Sequence, residues 1–175
     1  MKPVLAITRR LPTDVEARAR DSYDIRLNED DHPLDRKSIL DLCADADAVL
    51  VSVGDPIDAE FFENLPDRVR IVATFSVGTD HIDLAAAAKR GVIVGNTPGV
   101  LTDATADIAW LLMLGAARRA AEGEQEIRNN DWAGWRPTHL IGTQVTGKKL
   151  GIIGMGRIGQ AVARRARGFD MEVHY

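Results

Sequence analysis

The sequence predicts a parallel α/β fold, in which short buried strands alternate with helices. Apolar runs rich in β-branched residues alternate with stretches of helical periodicity from the N-terminus to Val94. Residues 48–53 form one of these runs and are apolar almost throughout, as expected for a strand buried on both faces of a parallel sheet. Later in the chain, the run ending at Ile153 leads into glycines spaced G-x-G-x-x-G, and a helical pattern follows at once.

The strands and helices of the first part follow from this alternation. Strands are expected at residues 4–8, 23–27, 48–53, 70–75 and 92–94. Helices are expected at residues 12–20, 35–46, 58–64 and 82–89. Gly91 follows the last of these helices, where a left-handed C-cap is natural. Cys43 shares the apolar face of the second helix with Ile39 and is interpreted as a small buried side chain.

A different kind of element follows the fifth strand. The polar Pro-Gly turn at residues 96–99 predicts a domain boundary. One unusually long helix is then expected from Asp103 to Ile127, opened by Thr102 as its cap. Such a helix either bridges two domains, contacts another subunit or is an ordinary core helix, and periodicity alone leaves these alternatives open.

The last part of the chain reads as a loop followed by a strand, a helix and a second strand. The loop covers residues 129–146, and its Trp132 and Trp135 are expected to anchor it on an apolar surface. The later elements are expected at residues 148–153, 157–168 and 171–175.

Composition excludes several classes of function. The net charge of −4 and the pI near 5.6 argue against nucleic-acid binding, which needs a surplus of lysine and arginine. The single cysteine excludes an internal disulfide. The apolar run at residues 3–7 is too short for a signal peptide or a membrane span, so no membrane partner is expected and the predicted location is the cytoplasm.

The glycine motif has the order of a dinucleotide-binding turn. Gly154 permits a tight turn, Gly156 lets a pyrophosphate approach the backbone, and Gly159 lets the helix pack close to the strand. The amides of Arg157 and Ile158 open the helix, where free N–H groups and the helix dipole attract anions. The alternative is a glycine-rich turn with a structural role only.

The loop 76–80 is a second candidate site, because it follows the carboxyl end of the predicted fourth strand. The amides of Val77 and Gly78 are suited to a carboxylate. The alternative is that Thr79 or Asp80 simply caps the helix that follows.

The remaining ionisable residues give no catalytic or metal site. None of the histidines has a setting that favours proton transfer, and each is interpreted as a surface or packing residue: His32, His81, His139 and His174. The arginine pairs 118–119 and 164–165 are interpreted as solvated faces.

Four segments together resemble the N-terminal half of a D-2-hydroxyacid dehydrogenase, and most closely its glyoxylate and hydroxypyruvate reductase branch. They are residues 75–83, 96–107, 132–137 and 151–163. The resemblance implies a flavodoxin-like substrate domain at 1–98, without its C-terminal return segment. It also implies the N-terminal part of a Rossmann NAD(P)-binding domain at 99–175 and a homodimer.

The resemblance also assigns binding roles. The substrate carboxylate is expected on the Val77 and Gly78 amides, with Leu101 near the cleft, and Thr105 is expected near the nicotinamide end of the cofactor. The pyrophosphate is expected on the glycine turn, at Gly154, Gly156, Arg157, Ile158 and Gly159.

The implied activity is reduction of glyoxylate or hydroxypyruvate, small 2-keto acids, by hydride transfer from NAD(P)H. In the family the catalytic arginine, glutamate and histidine lie downstream of the glycine turn, so the 175-residue chain is expected to contain no catalytic residue and to be inactive alone. The residue that selects NAD or NADP is expected beyond Tyr175. The alternative is a non-catalytic nucleotide-sensing or protein-interaction module on the same scaffold.

Overall fold

The computed structural model describes residues 1–175 and divides into two compact units, Met1–Val100 and Leu101–Tyr175. Each unit has its own parallel sheet, of five strands in the first unit and two in the second. No helix in either unit is long and apolar enough to cross a membrane.

The first unit is a five-stranded parallel sheet with the strand order β2-β1-β3-β4-β5. Its strands are β1 Val4–Ile7, β2 Asp24–Leu27, β3 Ala48–Val51, β4 Ile71–Thr74 and β5 Ile93–Gly95. This is the flavodoxin-like order, in which the chain starts in the interior of the sheet and reverses direction beside β1. The predicted parallel α/β class is therefore confirmed.

Four helices connect these strands: α1 Thr13–Ser22, α2 Arg36–Leu42, α3 Ala59–Asn64 and α4 Leu84–Lys89. Each of the last three helices has an aspartate as its N-cap. The carboxylate of this aspartate accepts a hydrogen bond from the backbone N–H three residues later, at 2.8 Å for Asp35, 3.0 Å for Asp58 and 2.9 Å for Asp83. Helix α2 is shorter than the predicted 35–46, because the chain turns after Leu42 and the amide of Ala46 donates to the Cys43 carbonyl.

The predicted cap of α4 is wrong. Asp83 fills that position, so neither Thr79 nor Asp80 caps the helix, which begins at Leu84. An aspartate three residues before Ala86 reaches that amide directly, whereas Thr79 and Asp80 lie in the preceding turn. Gly91 has the predicted left-handed conformation, with φ +66°.

Apolar side chains of β3, β4 and the helices form the core of the first unit. Phe61 and Phe62 are fully buried and meet edge to face with ring centroids 5.4 Å apart. Cys43 is buried as predicted, and burial raises the pKa of its thiol to about 12. This cysteine is a packing residue with no thiolate at neutral pH.

The second unit contains α5 Thr102–Ala117, α6 Ala120–Asn129, β6 Lys149–Gly151, α7 Arg157–Ala166, a 3-10 turn Arg167–Phe169 and β7 Glu172–His174. Strands β6 and β7 pair in parallel. Trp110 of α5 stacks on Phe169 with ring centroids 4.6 Å apart, and its indole N–H donates to the carbonyl of Val162 at 3.1 Å. These contacts pack α5 against α7.

The single long helix predicted from Asp103 to Ile127 is wrong. The chain forms two helices, because Arg119 adopts a left-handed conformation with φ +56° and ψ +38°. Its guanidinium pairs with Glu122 in the first turn of α6. Thr102 is the first residue of α5 instead of its cap, since Leu101 occupies the cap position and makes no side-chain cap bond.

Two surface predictions in this unit are also wrong. Trp132 and Trp135 are 54% and 81% exposed, so they do not anchor their loop on an apolar surface of this chain. Polar contacts hold the loop instead: the His139 imidazole lies 2.7 Å from the Glu126 carboxylate. Arg165 is not a solvated arginine, because its guanidinium donates to Asp107 at 2.8 Å and so ties α7 to α5.

Candidate functional site

The loop after β4 has three successive peptide carbonyls held by hydrogen bonds. The Ser76 carbonyl accepts from both the amide and the hydroxyl of Thr97, each at 2.9 Å. The Val77 carbonyl accepts from the side-chain amide of Asn96 at 2.7 Å. The Gly78 carbonyl accepts from the Ser76 hydroxyl at 2.7 Å. The orientation of each peptide plane in this loop is therefore fixed.

Fixed carbonyls determine where the amides point. In a trans peptide the C=O and the N–H of one plane point in opposite directions. The N–H groups of Val77 and Gly78 consequently point away from Thr97 and Asn96, and neither donates to another group of the chain. Two adjacent free donors at an exposed glycine form a place where a carboxylate can accept hydrogen bonds. The nearest side chain is that of Asp80, whose Oδ2 atom lies 3.1 Å from a Cβ built on Gly78.

Sequence reasoning found the two amides but missed the residues that orient them. Asn96 and Thr97 follow β5, and Ser76 follows β4, its direct neighbour in the sheet. The available signal was a cluster of polar residues just after two consecutive strands, because adjacent parallel strands bring their carboxyl ends together. Thr74 and His81 also contact this loop and were likewise missed.

In the second unit, the glycine turn joins β6 to α7. Gly154 has φ +95°, a conformation that side-chain-bearing residues rarely adopt. A Cβ built on Gly159 would lie 2.2 Å from the carbonyl oxygen of Gly154, so only glycine lets α7 approach the turn this closely. These two glycines have the conformational and packing roles that their spacing predicts.

The middle glycine of the motif faces open space. Gly156 is the N-cap residue of α7, and no atom lies within 4 Å of a Cβ built there. Arg157 and Ile158 are the first helical residues, so their amides are among those that an α-helix leaves without internal acceptors. The turn therefore fits the pyrophosphate of a dinucleotide, since it combines space at the backbone with free donors at the positive end of a ten-residue helix.

Leu101 and Thr105 lie at the start of α5. The carbonyl of Leu101 accepts from the amide of Thr105 at 2.9 Å, which forms the first turn of the helix. Both side chains are exposed. They are available to a ligand, and no hydrogen bond within the chain uses the Thr105 hydroxyl.

The histidines lie in separate settings. His81 contacts Thr74 beneath the β4 loop, and His139 lies between Glu126 and Arg136 in the second unit. His174 pairs with Glu172 on β7. No group of three or more histidine, cysteine or acidic side chains is placed to hold a metal ion.

Comparison with known proteins identifies the family of this scaffold. A family model described as the catalytic domain of D-isomer-specific 2-hydroxyacid dehydrogenases matches residues 5–170. The chain belongs to the D-isomer-specific 2-hydroxyacid dehydrogenase family. The predicted family resemblance is thereby confirmed. Both candidate sites lie within the matched region.

Several dehydrogenases match the chain along its whole length. The glyoxylate reductase of Korarchaeum cryptofilum is 46% identical over 176 residues, which cover 100% of this chain and 53% of that protein. The glycerate dehydrogenase of Hyphomicrobium methylovorum is 44% identical over 174 residues, which cover 99% of this chain and 54% of that protein. The chain therefore spans about half the length of the curated relatives it matches.

Solved dehydrogenase structures share the fold. A crystal structure from Polaromonas sp., described as a D-isomer-specific 2-hydroxyacid dehydrogenase, NAD-binding, superposes with a TM-score of 0.92 at 42% identity. The superposition covers 100% of this chain and 55% of the Polaromonas chain. A glyoxylate reductase from Paecilomyes thermophila superposes with a TM-score of 0.78 at 32% identity, covering 98% of this chain and 54% of that one.

Proposed function

We propose that the chain supplies the substrate-carboxylate site and the pyrophosphate-binding turn of an NAD(P)-dependent 2-hydroxyacid oxidoreductase that reduces glyoxylate or hydroxypyruvate. The observation that carries this proposal is the β4 loop, in which fixed carbonyls leave the Val77 and Gly78 amides free for a carboxylate. Relatives named glyoxylate reductase and glycerate dehydrogenase support the substrate class.

The residues of this chain bind and orient. The Val77 and Gly78 amides hold the carboxylate of the 2-keto acid, and Leu101 is the third residue proposed to bind substrate. Gly154, Gly156 and Gly159 shape the turn for the cofactor, and the Arg157 and Ile158 amides bind its pyrophosphate. The Thr105 hydroxyl contacts the nicotinamide end. NADH or NADPH, when bound, supplies the hydride that reduces the keto carbon.

Two further parts of the proposal concern organisation. Residues 1–98 form the substrate domain and residues 99–175 begin the cofactor domain. A homodimer through the second unit is supported by exposed apolar side chains on α5, among them Leu111 at 63% and Leu112 at 66%. Sedimentation equilibrium tests this part, because a monomer at all concentrations would contradict it.

Binding and turnover are tested separately on the 175-residue chain. In amide-resolved NMR, glyoxylate should shift the Val77 and Gly78 signals, and NADH should shift those of Arg157 and Ile158. Oxidation of NADH or NADPH with glyoxylate or hydroxypyruvate should be absent, because no catalytic acid/base pair is proposed in this chain. Nucleotide binding without any response to glyoxylate would favour the nucleotide-sensing alternative.

A further inference from the structure

A chain of hydrogen bonds runs beneath the β4 loop and ends on the Gly78 carbonyl. The Nε2 atom of His81 lies 3.0 Å from the hydroxyl of Thr74, which lies 2.7 Å from the hydroxyl of Ser76. The Ser76 hydroxyl in turn donates to the Gly78 carbonyl at 2.7 Å. The side chains of Thr74 and Ser76 are buried, and His81 is half-buried at the start of the chain.

The last link determines the direction of every other link. A carbonyl oxygen only accepts, so the single hydroxyl proton of Ser76 is used on Gly78. Thr74 must then donate its own proton to Ser76. With that proton used, the Thr74 oxygen is free only to accept, and the Nε2 atom of His81 must carry the proton of the first link.

We infer that His81 is a positioning residue for carboxylate binding, which acts as an Nε2–H donor through Thr74 and Ser76 to hold the Gly78 carbonyl. The neutral tautomer with its proton on Nδ1 is excluded. In that tautomer Nε2 has no proton, so its lone pair would face a lone pair of the Thr74 oxygen, whose own proton is used on Ser76. His81 does not touch the substrate, so it is not a catalytic residue.

The physical reason for such a device is the glycine at the centre of the loop. Gly78 has no Cβ to restrict its backbone, so its peptide planes would otherwise sample many orientations. The chain from His81 fixes the plane after Gly78, and Asn96 fixes the plane before it. Asn96 thus aims the Gly78 amide, and the chain from His81 restrains the backbone on the other side of Gly78. The loop is therefore held in one conformation before a ligand arrives, which lowers the entropy cost of binding.

The inference rests on the proposed carboxylate site, so its test separates the two. The first measurement needs no ligand: long-range ¹⁵N–¹H NMR of the 175-residue chain in mildly alkaline buffer should show His81 protonated on Nε2. The second is a glyoxylate titration that follows the Val77 and Gly78 amides in the wild type and in variants.

The variants isolate the donor. His81→Leu removes it and should raise the dissociation constant for glyoxylate about fivefold, the effect of losing one ordinary hydrogen bond. His81→Gln keeps an N–H donor at a similar distance from the backbone and should stay within about twofold of the wild type. His32→Leu, a histidine in an exposed loop of the same unit, should change nothing.

A second break in the same chain tests its continuity. Thr74→Val removes the hydroxyl while keeping the shape and should also weaken binding about fivefold. The double variant with His81→Leu should be no weaker than Thr74→Val alone, because His81 acts only through the Thr74 hydroxyl. Two independent packing defects would add instead.

The outcomes distinguish the two proposals. An Nδ1–H tautomer, wild-type affinity in His81→Leu or additive effects in the double variant would overturn the role of His81 and leave the carboxylate site standing. A wild-type chain whose Val77 and Gly78 amides do not respond to glyoxylate would overturn the carboxylate site and, with it, this inference.

Discussion

Replacing Gly159 by alanine tests how the nucleotide-binding turn is built. Its Cβ would lie 2.2 Å from the Gly154 carbonyl oxygen and 3.4 Å from the Ile152 side chain. The first distance is far inside van der Waals contact, and the obstacle is backbone, which has no rotamer that relieves it. Helix α7 must therefore move away from the turn by about 1 Å to restore an ordinary contact.

Two opposing effects determine the size of the change. Overpacking a close contact costs about 1–3 kcal/mol. Alanine has a higher helix propensity than glycine, which returns about 1 kcal/mol at this position in α7. We expect Gly159→Ala to lower the free energy of unfolding of the second unit by up to about 2 kcal/mol. The shift of α7 should also move the Arg157 and Ile158 amides away from a bound pyrophosphate.

Urea unfolding followed by tryptophan fluorescence measures the stability of the second unit, because all three tryptophans lie in it. NADH binding is followed by NMR at the amides of α7. Gly156→Ala is the matched variant: its Cβ meets nothing within 4 Å, so the stability should fall by no more than the roughly 1 kcal/mol cost of alanine at an N-cap. The same Cβ fills the space proposed for the pyrophosphate and should abolish binding. Gly151→Ala, also in open space on β6, should change neither quantity.

Two results would contradict this account of the turn. If Gly159→Ala is as stable as the wild type and binds NADH normally, the close approach of α7 to the turn has no structural or functional role. If Gly156→Ala binds NADH as tightly as the wild type, the pyrophosphate does not lie against this part of the backbone.

Three further predictions concern stability and reactivity. Cys43 should react with a thiol reagent at about pH 8 only as fast as the first unit unfolds, because burial raises its pKa to about 12; fast reaction in the absence of urea would contradict this. Hydrogen bonding by Arg36, and next by the Phe61 amide, holds the pKa of Asp58 below its ordinary value. Its carboxylate therefore stabilises the fold above the unfolded pKa, and this contribution disappears as the pH falls through the lowered folded pKa. Asp58→Ala should cost about 1 kcal/mol at neutral pH and reduce the loss of stability on acidification, as measured by circular dichroism in urea. Gly115→Ala should stabilise α5 by up to about 1 kcal/mol in the fluorescence assay, because alanine favours helix and its Cβ would meet nothing within 4 Å. A destabilised variant would contradict the open space around Gly115.

Periodicity predicted the sheet of the first unit well, because its interior strands β1 and β3 are apolar along their length and half or more of their residues are buried. It failed at Arg119, where the helix breaks without glycine or proline. Arginine and alanine favour helix, so nothing local stops the pattern there. A distant segment packs where α5 ends: the Thr143 amide donates to the Ala117 carbonyl at 2.7 Å, and a Cβ added to Gly142 would lie 2.5 Å from the same oxygen. Such a packing contact has no counterpart in periodicity.

How well each candidate site could be predicted depends on whether its residues are close together in the sequence. The glycine turn is local, so its spacing alone predicted a tight turn at Gly154 and close packing of the helix at Gly159. The β4 loop is not local: Asn96 and Thr97 hold carbonyls 19 and 21 positions earlier in the chain. Only the pairing of β4 with β5 brings them together, and the strand order of a sheet is not written in any single segment.

Both proposed sites bind through backbone N–H groups, and this has a consequence for how mutations should be read. Truncating a side chain at Val77 or Ile158 leaves the donor in place, so such a variant is a weak test of either site. The sensitive positions are the glycines, where a Cβ fills the ligand's space or displaces the helix, and the residues that hold a carbonyl from behind, such as Asn96. Amide donors also recognise any carboxylate or phosphate of suitable shape. Discrimination between glyoxylate and hydroxypyruvate must therefore come from side chains and not from the Val77 and Gly78 amides.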